Sequence, residues 1–229
     1  MIEDITSRGK LPVIVGGTGM YIQSLLFDYD FSESPGDPEV LMGLENKLDK
    51  EGKGALHNYL ERVDPEEAKK IHPNNTKRVL RALEIYESTG TTKTKHNEGP
   101  GESSYHFKIL GLEMDRTLLY NRIDQRVNSM VNEGLIEEVR NLLHSVGSQP
   151  QAMQAIGYKE IVPYLEGRSS LEEAIEKLKR NSRRYAKRQY TYFKNKLPID
   201  WYEMTEETFD EKKEEILSDL EGFFHNKKK

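Results

Sequence analysis

The sequence predicts an α/β protein in which helices far outnumber strands, and three observations carry that prediction. Residues 11–15 form a short apolar, β-branched run that stops at Gly16, Gly17, Thr18 and Gly19, and residues 20–27 then read as a helical start. From Asp37 onward apolar residues recur at helical spacing almost without interruption. One later stretch, residues 106–112, reads as a second strand. A run that is apolar on both faces suits a buried parallel strand with helices on either side. Because a parallel sheet of one or two strands is not stable by itself, the sheet is expected to be only partly present in this chain.

The elements follow in order. Helices are predicted near 38–50, 53–61, 65–70, 76–88, 115–133, 135–145, 158–165, 171–195 and 207–225. The helix near 76–88 has Asn74 or Asn75 as its cap and Gly90 as its stop, and Asp115 reads as the cap of the next long one. Residues 91–104 are rich in Lys, Gly, Glu and Ser and read as a mobile loop, and residues 226–229 as a frayed tail. No internal repeat of fixed period is present. The expected division is 1–36 as part of an α/β core, 37–104 as a helical insertion, and 105–229 as a return to the core followed by C-terminal helices.

Composition narrows the function classes. The 229 residues suffice for a substantial core. Charged residues are 32% of the chain and mean hydropathy is −0.78, and no apolar run approaches the roughly 20 residues a spanning helix needs. Residues 1–10 carry scattered charges and no signal-peptide pattern, so a cytoplasmic location is expected. Cysteine is absent and the six histidines show no close ligand spacing, which argues against disulfides and a zinc site. Net charge is −5, yet its distribution along the chain is strongly uneven.

Gly16 and Gly17 stand where α/β folds place a ligand crevice, and small residues there let the backbone approach a phosphate while Thr18 offers a hydroxyl. A tight turn in which glycine supplies positive φ and threonine caps the helix is the competing reading. In the helix that opens at residue 76, Val79, Leu80, Leu83 and Tyr86 form an apolar stripe, and Lys77, Arg78 and Arg81 put cations near the amino end. The helix dipole disfavours them there; an anionic partner would repair this, and a solvated basic face is the alternative. Arg122 and Arg126 are one turn apart and can reach a single anion such as a diphosphate, unless Asp124, Glu133 or Glu137 engage them in surface salt bridges.

Residues 154–160 interrupt the helical pattern at Gly157, and there Gln154, Tyr158 and Lys159 could read and stack a flipped base, although Tyr158 equally suits a core. Residues 177–196 hold Lys177, Lys179, Arg180, Arg183, Arg184, Lys187, Arg188, Lys194 and Lys196 with no acidic residue among them. On a helix, Ala186, Tyr190, Phe193 and Leu197 make an apolar stripe while the cations cluster elsewhere. A basic, aromatic-bearing helix on an acidic protein is the footprint of phosphate-backbone contact; a membrane surface or an acidic protein is the competing partner.

These segments occur in the same order in the tRNA dimethylallyltransferase family, which the chain resembles over nearly its whole length. The resemblance rests on residues 11–22, on His72, Pro73 and Asn74 with Arg78 and Arg81 to Glu84, on residues 119–127, on residues 155–160, and on Arg183 to Gln189. It implies a P-loop-type α/β fold with a helical insertion. It also implies transfer of a dimethylallyl group from its diphosphate to N6 of the adenosine 3′-adjacent to the anticodon of tRNA, with Mg²⁺ sharing the leaving charge. Carried onto matching positions, Thr18 would sit at the reaction centre, and Arg122 or Arg126, with Gly16 and Gly17, would hold the diphosphate. Lys77, Arg78, Val79, Leu80 and Arg81, and Gln154, Ala155, Ile156, Gly157, Tyr158 and Lys159, would contact tRNA beside Arg183, Lys187 and Arg188 of the basic helix. A monomer without membrane contact is expected.

The family pattern opens with a strand, a P-loop ending in Lys-Thr or Lys-Ser, and an aspartate taken as general base. No GxxxxGK followed by Ser or Thr occurs here, so this chain by itself is expected to lack the diphosphate cradle and the base. Gln154 stands where some members carry arginine, and Leu41 where an arginine often follows Asp-Pro-Glu. A catalytically inert RNA-binding module is the alternative function. A nucleotide kinase gives no role to the basic helix.

Overall fold

The computed structural model describes residues 1–27, 36–96, 103–147 and 150–225. In chain order the elements are α1 (Ile2–Ser7), α2 (Gly19–Leu26), α3 (Pro38–Val63), α4 (Pro65–Lys70), α5 (Thr76–Thr89), α6 (Lys93–His96), β1 (Leu110–Glu113) and α7 (Arg116–Asn132). They continue with α8 (Leu135–Val146), a 3₁₀ turn (Gln151–Gln154), α9 (Tyr158–Leu165), α10 (Leu171–Lys196), β2 (Asp200–Glu203) and α11 (Phe209–His225). The chain forms two compact units, Met1–Gly19 with Phe107–Lys229, and Met20–His106.

The unit Met20–His106 is helical. Asp37 starts α3 by accepting from the backbone N–H groups of Glu39 and Val40, and Pro38 follows as the first helical residue, where its missing N–H costs nothing. Gly52, at φ 80°, kinks α3 where the sequence separates two helices. Leu56 and Leu60 of α3 pack on Val79 and Leu83 of α5, all nearly inaccessible to solvent. Gly90, at φ 71°, ends α5 as expected.

The buried Asp64 caps α4 through Glu67 N and also accepts from the backbone and hydroxyl of Thr94, at 2.9 and 2.6 Å. Burial pushes its carboxyl up, but these hydrogen bonds outweigh it and hold the carboxyl below its ordinary value. With Lys93 paired to Glu67 at 2.7 Å, this fixes α6 inside the stretch expected to be a mobile loop. Residues 97–102 of that loop, and the tail 226–229, lie outside the described residues.

In the other unit α7, α8, α9 and α10 enclose a core of Val127, Leu135, Val139, Met153, Ile161, Ala174 and Leu178. β1 and β2 pair in parallel, Leu110 opposite Asp200 and Glu113 opposite Glu203. β1 lies at the end of the predicted strand 106–112, and β2 has no counterpart among the strands the sequence predicts. A side chain at Gly111 would strike Ile199 and Trp201, so glycine lets the second strand and its aromatic ring close on the first.

Residues 11–15 require a correction. They form no strand among the described residues, and Leu11, Val13, Ile14 and Val15 are exposed, Val15 at 93%. Apolar composition marks a segment that could be buried, but a strand exists only where a neighbour takes its N–H and C=O groups.

Candidate functional site

The frame of the site is α10. Ser170 and Glu173 cap its start reciprocally, the Ser170 hydroxyl accepting from Glu173 N and the Glu173 carboxylate from Ser170 N. Ala174 and Leu178 anchor its first half in the core. Three cations of the basic run are neutralised inside the unit: Lys179 by Glu176, Arg183 by Asp124 and Lys194 by Glu113. Lys177, Arg180, Arg184, Lys187, Arg188 and Lys196 are exposed and form no ion pair among the described residues. Tyr185 is 40% exposed and lies under the Arg188 guanidinium, 5.7 Å from its carbon. The outward side of α10 thus offers several unneutralised cations and an accessible ring, while Leu197 is buried and Tyr190 stacks on Trp201 at 5.0 Å.

The carboxyl end of α10 is tied to the sheet. Tyr190 Oη and Lys194 Nζ both bond Glu113 at the end of β1. The Tyr190 hydrogen bond, helped by Lys194, holds the Glu113 carboxyl below its ordinary value against a smaller opposing effect of burial, and burial and Glu113 together push the Tyr190 phenol up.

Gln189 connects α10 to the glycine turn: its Nε2 donates to Gly17 O at 2.7 Å. Neither Gly16, Gly17 nor Gly19 has positive φ, so the tight-turn reading does not explain these glycines. Space explains two of them. A Cβ on Gly17 would come within 2.5 Å of Gln189 Nε2, and a Cβ on Gly19 would enter the Tyr192 ring. Between these close approaches Thr18 is exposed, and its hydroxyl forms no hydrogen bond among the described residues.

Arg122 and Arg126 lie on α7, which Asp115 caps through Thr117 N and Leu118 N. The Leu118 hydrogen bond leads in keeping the Asp115 carboxyl below its ordinary value. The acid between the two arginines is not their partner: Asp124 takes Arg183 Nη1 at 2.6 and 2.7 Å. Glu137 pairs with Arg140, and Arg122 and Arg126 are exposed without an ion pair among the described residues. Because Glu113 meets residues 190 and 194 while Asp124 meets residue 183, α7 runs antiparallel to α10. Arg122 is therefore on the side of Asp124 toward Gln189 and the glycine turn, and Arg126 on the side away from it.

The turn at 154–159 is built on Glu160, whose side chain is fully buried. One carboxylate oxygen accepts from Gly157 N at 2.9 Å and the other from Asn181 Nδ2 of α10 at 2.7 Å. Gly157, at φ 108°, makes a turn that a residue with a side chain adopts only under strain. Gln154, Ala155 and Lys159 are exposed, while Ile156 and Tyr158 are half-buried against the core. The Tyr158 hydroxyl donates to Glu138, and that bond raises its pKa.

In the unit Met20–His106, Lys77 and Arg78 are exposed without an ion pair among the described residues, and Arg81 is paired with Glu84 at 2.8 Å. Val79 and Leu80 are buried in the core of that unit, which corrects any expectation that their side chains meet RNA. Sequence reasoning missed Asp124, Gln189, Glu160 and Glu113 as organising residues. Gln189, Glu160 and Asp124 stand inside the motifs 183–189, 155–160 and 119–127, whereas Glu113 lies in none of them.

The family model described as IPP transferase matches residues 1–196. The tRNA dimethylallyltransferase of Oceanobacillus iheyensis is 48% identical over 227 residues, covering 99% of this chain and 72% of that protein. That of Anoxybacillus flavithermus is 50% identical over 227 residues, covering 98% and 72%. Among solved structures, the full-length tRNA isopentenylpyrophosphate transferase of Bacillus halodurans superposes with a TM-score of 0.68 at 44% identity, covering 99% of this chain and 71% of that one. A eukaryotic dimethylallyltransferase described as acting on tRNA superposes with a TM-score of 0.64 at 30% identity, covering 87% and 53%. These likenesses carry the P-loop-type α/β class expected from the sequence, here a mainly helical chain with a small parallel sheet. The chain belongs to the IPP transferase family of tRNA dimethylallyltransferases.

Proposed function

We propose that this chain transfers a dimethylallyl group from dimethylallyl diphosphate to N6 of the adenosine 3′-adjacent to the anticodon of tRNA. The observation that carries the reading is the division of charge along α10 and α7. Arg183, Lys179 and Lys194 are neutralised internally, whereas Lys187, Arg188, Arg122 and Arg126 are left for anions from outside. In this reading Lys187, Arg188 and Tyr185 meet the tRNA backbone and a base. Lys77 and Arg78 make a further phosphate contact, and Gln154 and Lys159 line the path of the nucleotide. Arg122, nearer the glycine turn, meets the departing diphosphate, whose growing charge is what such a site must stabilise. Thr18 meets the diphosphate or the target nucleotide with its unspent hydroxyl.

Mg²⁺ would be held largely by diphosphate oxygens, as is usual for this ion. Among the described residues no group of three or more His, Asp or Glu is arranged for a metal, and an ion held mainly by phosphate oxygens does not require such a group. The protein acts in the cytoplasm as a monomer.

The test uses a tRNA whose adenosine 3′ of the anticodon is replaced by guanosine. Labelled dimethylallyl should enter the unaltered tRNA and not the replaced one. Equal labelling of both would reject the assigned acceptor.

A further inference from the structure

We infer that Gln189 is a positioning residue for Thr18, an inference that rests on the proposed place of Thr18 at the reaction centre. The contact joins positions 172 residues apart, and through it α10 holds the glycine turn. Gln189 Nε2 donates to Gly17 O at 2.7 Å, fixing the peptide plane that leads directly into Thr18. On the far side of Thr18, Gly19 admits the Tyr192 ring at a distance no other residue would allow.

Gln189 and Tyr192 are three residues apart on α10, so they lie on one face, one turn from each other. Together they hold the turn on both sides of Thr18 while leaving its hydroxyl unbonded. A hydroxyl presented from a backbone clamped on both sides loses little further freedom when it meets its ligand, and such pre-organisation contributes to rate rather than to binding. Gln189 also directly follows Lys187 and Arg188, so the helix proposed to bear the RNA backbone is the one that sets the reacting group.

The role depends on donation by the amide. In Gln189→Glu the carboxylate cannot donate to Gly17 O and repels it, although shape is kept; Gln189→Met keeps length without the donor. Either change is expected to lower kcat roughly tenfold, the loss of one positioned hydrogen bond. The uncharged Gln189→Met leaves the Kd for tRNA unchanged and the thermal midpoint little altered, whereas the added negative charge of Gln189→Glu also weakens tRNA binding.

The deciding experiment is a double-mutant cycle on kcat with Thr18→Ala, using the longest form the gene encodes. If Gln189 acts through Thr18, Gln189→Met lowers kcat in the native background and adds nothing in the Thr18→Ala background. Full additivity, or a Gln189→Met effect confined to the thermal midpoint, overturns the inference while leaving Thr18 in place. A Thr18→Ala variant with native kcat instead removes the reading on which the inference rests, and is recognised separately because it involves no change at Gln189.

Discussion

Arg183 of α10 donates from a single nitrogen to both carboxylate oxygens of Asp124 on α7, at 2.6 and 2.7 Å. The side chains are 26% and 35% exposed, so the pair is partly screened and contributes about 0.5–1 kcal/mol. Arg183→Ala should therefore lower unfolding stability by about that amount, and its effect on the salt dependence of tRNA binding should be small. Denaturant unfolding and filter binding across a salt series separate the two. A salt slope that drops as much for Arg183→Ala as for Lys187→Ala would show that Arg183 leaves Asp124 for phosphate.

Lys187→Ala and Arg188→Ala together should weaken tRNA binding and flatten its salt dependence. Deleting one cation that neutralises a phosphate lowers the logarithmic slope by about 0.7–0.9, so the pair should lower it by about twice that. An unchanged slope would remove the assignment of the outward face of α10.

The glycine turn separates two kinds of crowding. Gly19→Ala drives a methyl group into the Tyr192 ring and should cost about 1–3 kcal/mol of stability, as overpacking does. Gly17→Ala meets only the end of the Gln189 side chain, which can swing away, so it should cost less stability and act mainly on turnover. Thermal unfolding of both variants beside their kcat values distinguishes these outcomes.

Glu113 gives a pH prediction. Its carboxyl is held below the ordinary value in the folded state, chiefly by the Tyr190 hydroxyl. The linked stability is therefore fully present above the unfolded glutamate value, about 4.3, and is lost as pH falls through the lower folded value. Tyr190→Phe should lower the unfolding midpoint at pH 6 and converge on the native protein as pH falls below about 4. A difference that persists undiminished at low pH would mean that the Tyr190 hydroxyl contributes independently of the Glu113 charge, because phenylalanine keeps the ring on Trp201.

Much of the helical fold was legible because its signals are local. Asp115 caps α7, Gly90 stops α5, and Gly52 marks the break in α3 that the spacing placed between residues 50 and 53. The candidate site was legible as residue types and not as partnerships. Asp124 looked like a partner for Arg122 and Arg126, but residues two apart on a helix do not face each other, and its actual partner is 59 residues away. Gln189 reaches Gly17 across 172 residues, a separation no periodicity reports. The run 11–15 misled because composition cannot supply the neighbouring strand that pairing needs, and β2 was missed because Asp200 and Glu203 break the apolar pattern around Trp201 and Tyr202.

The most direct measurement is transfer of labelled dimethylallyl from its diphosphate to unmodified tRNA, made with the longest form the gene encodes and with its Thr18→Ala variant. The native protein should label the tRNA, and Thr18→Ala should lower kcat by about a hundredfold or more while its tRNA affinity stays within about twofold. A native protein that binds tRNA but transfers no label would contradict the account and identify an inert RNA-binding module.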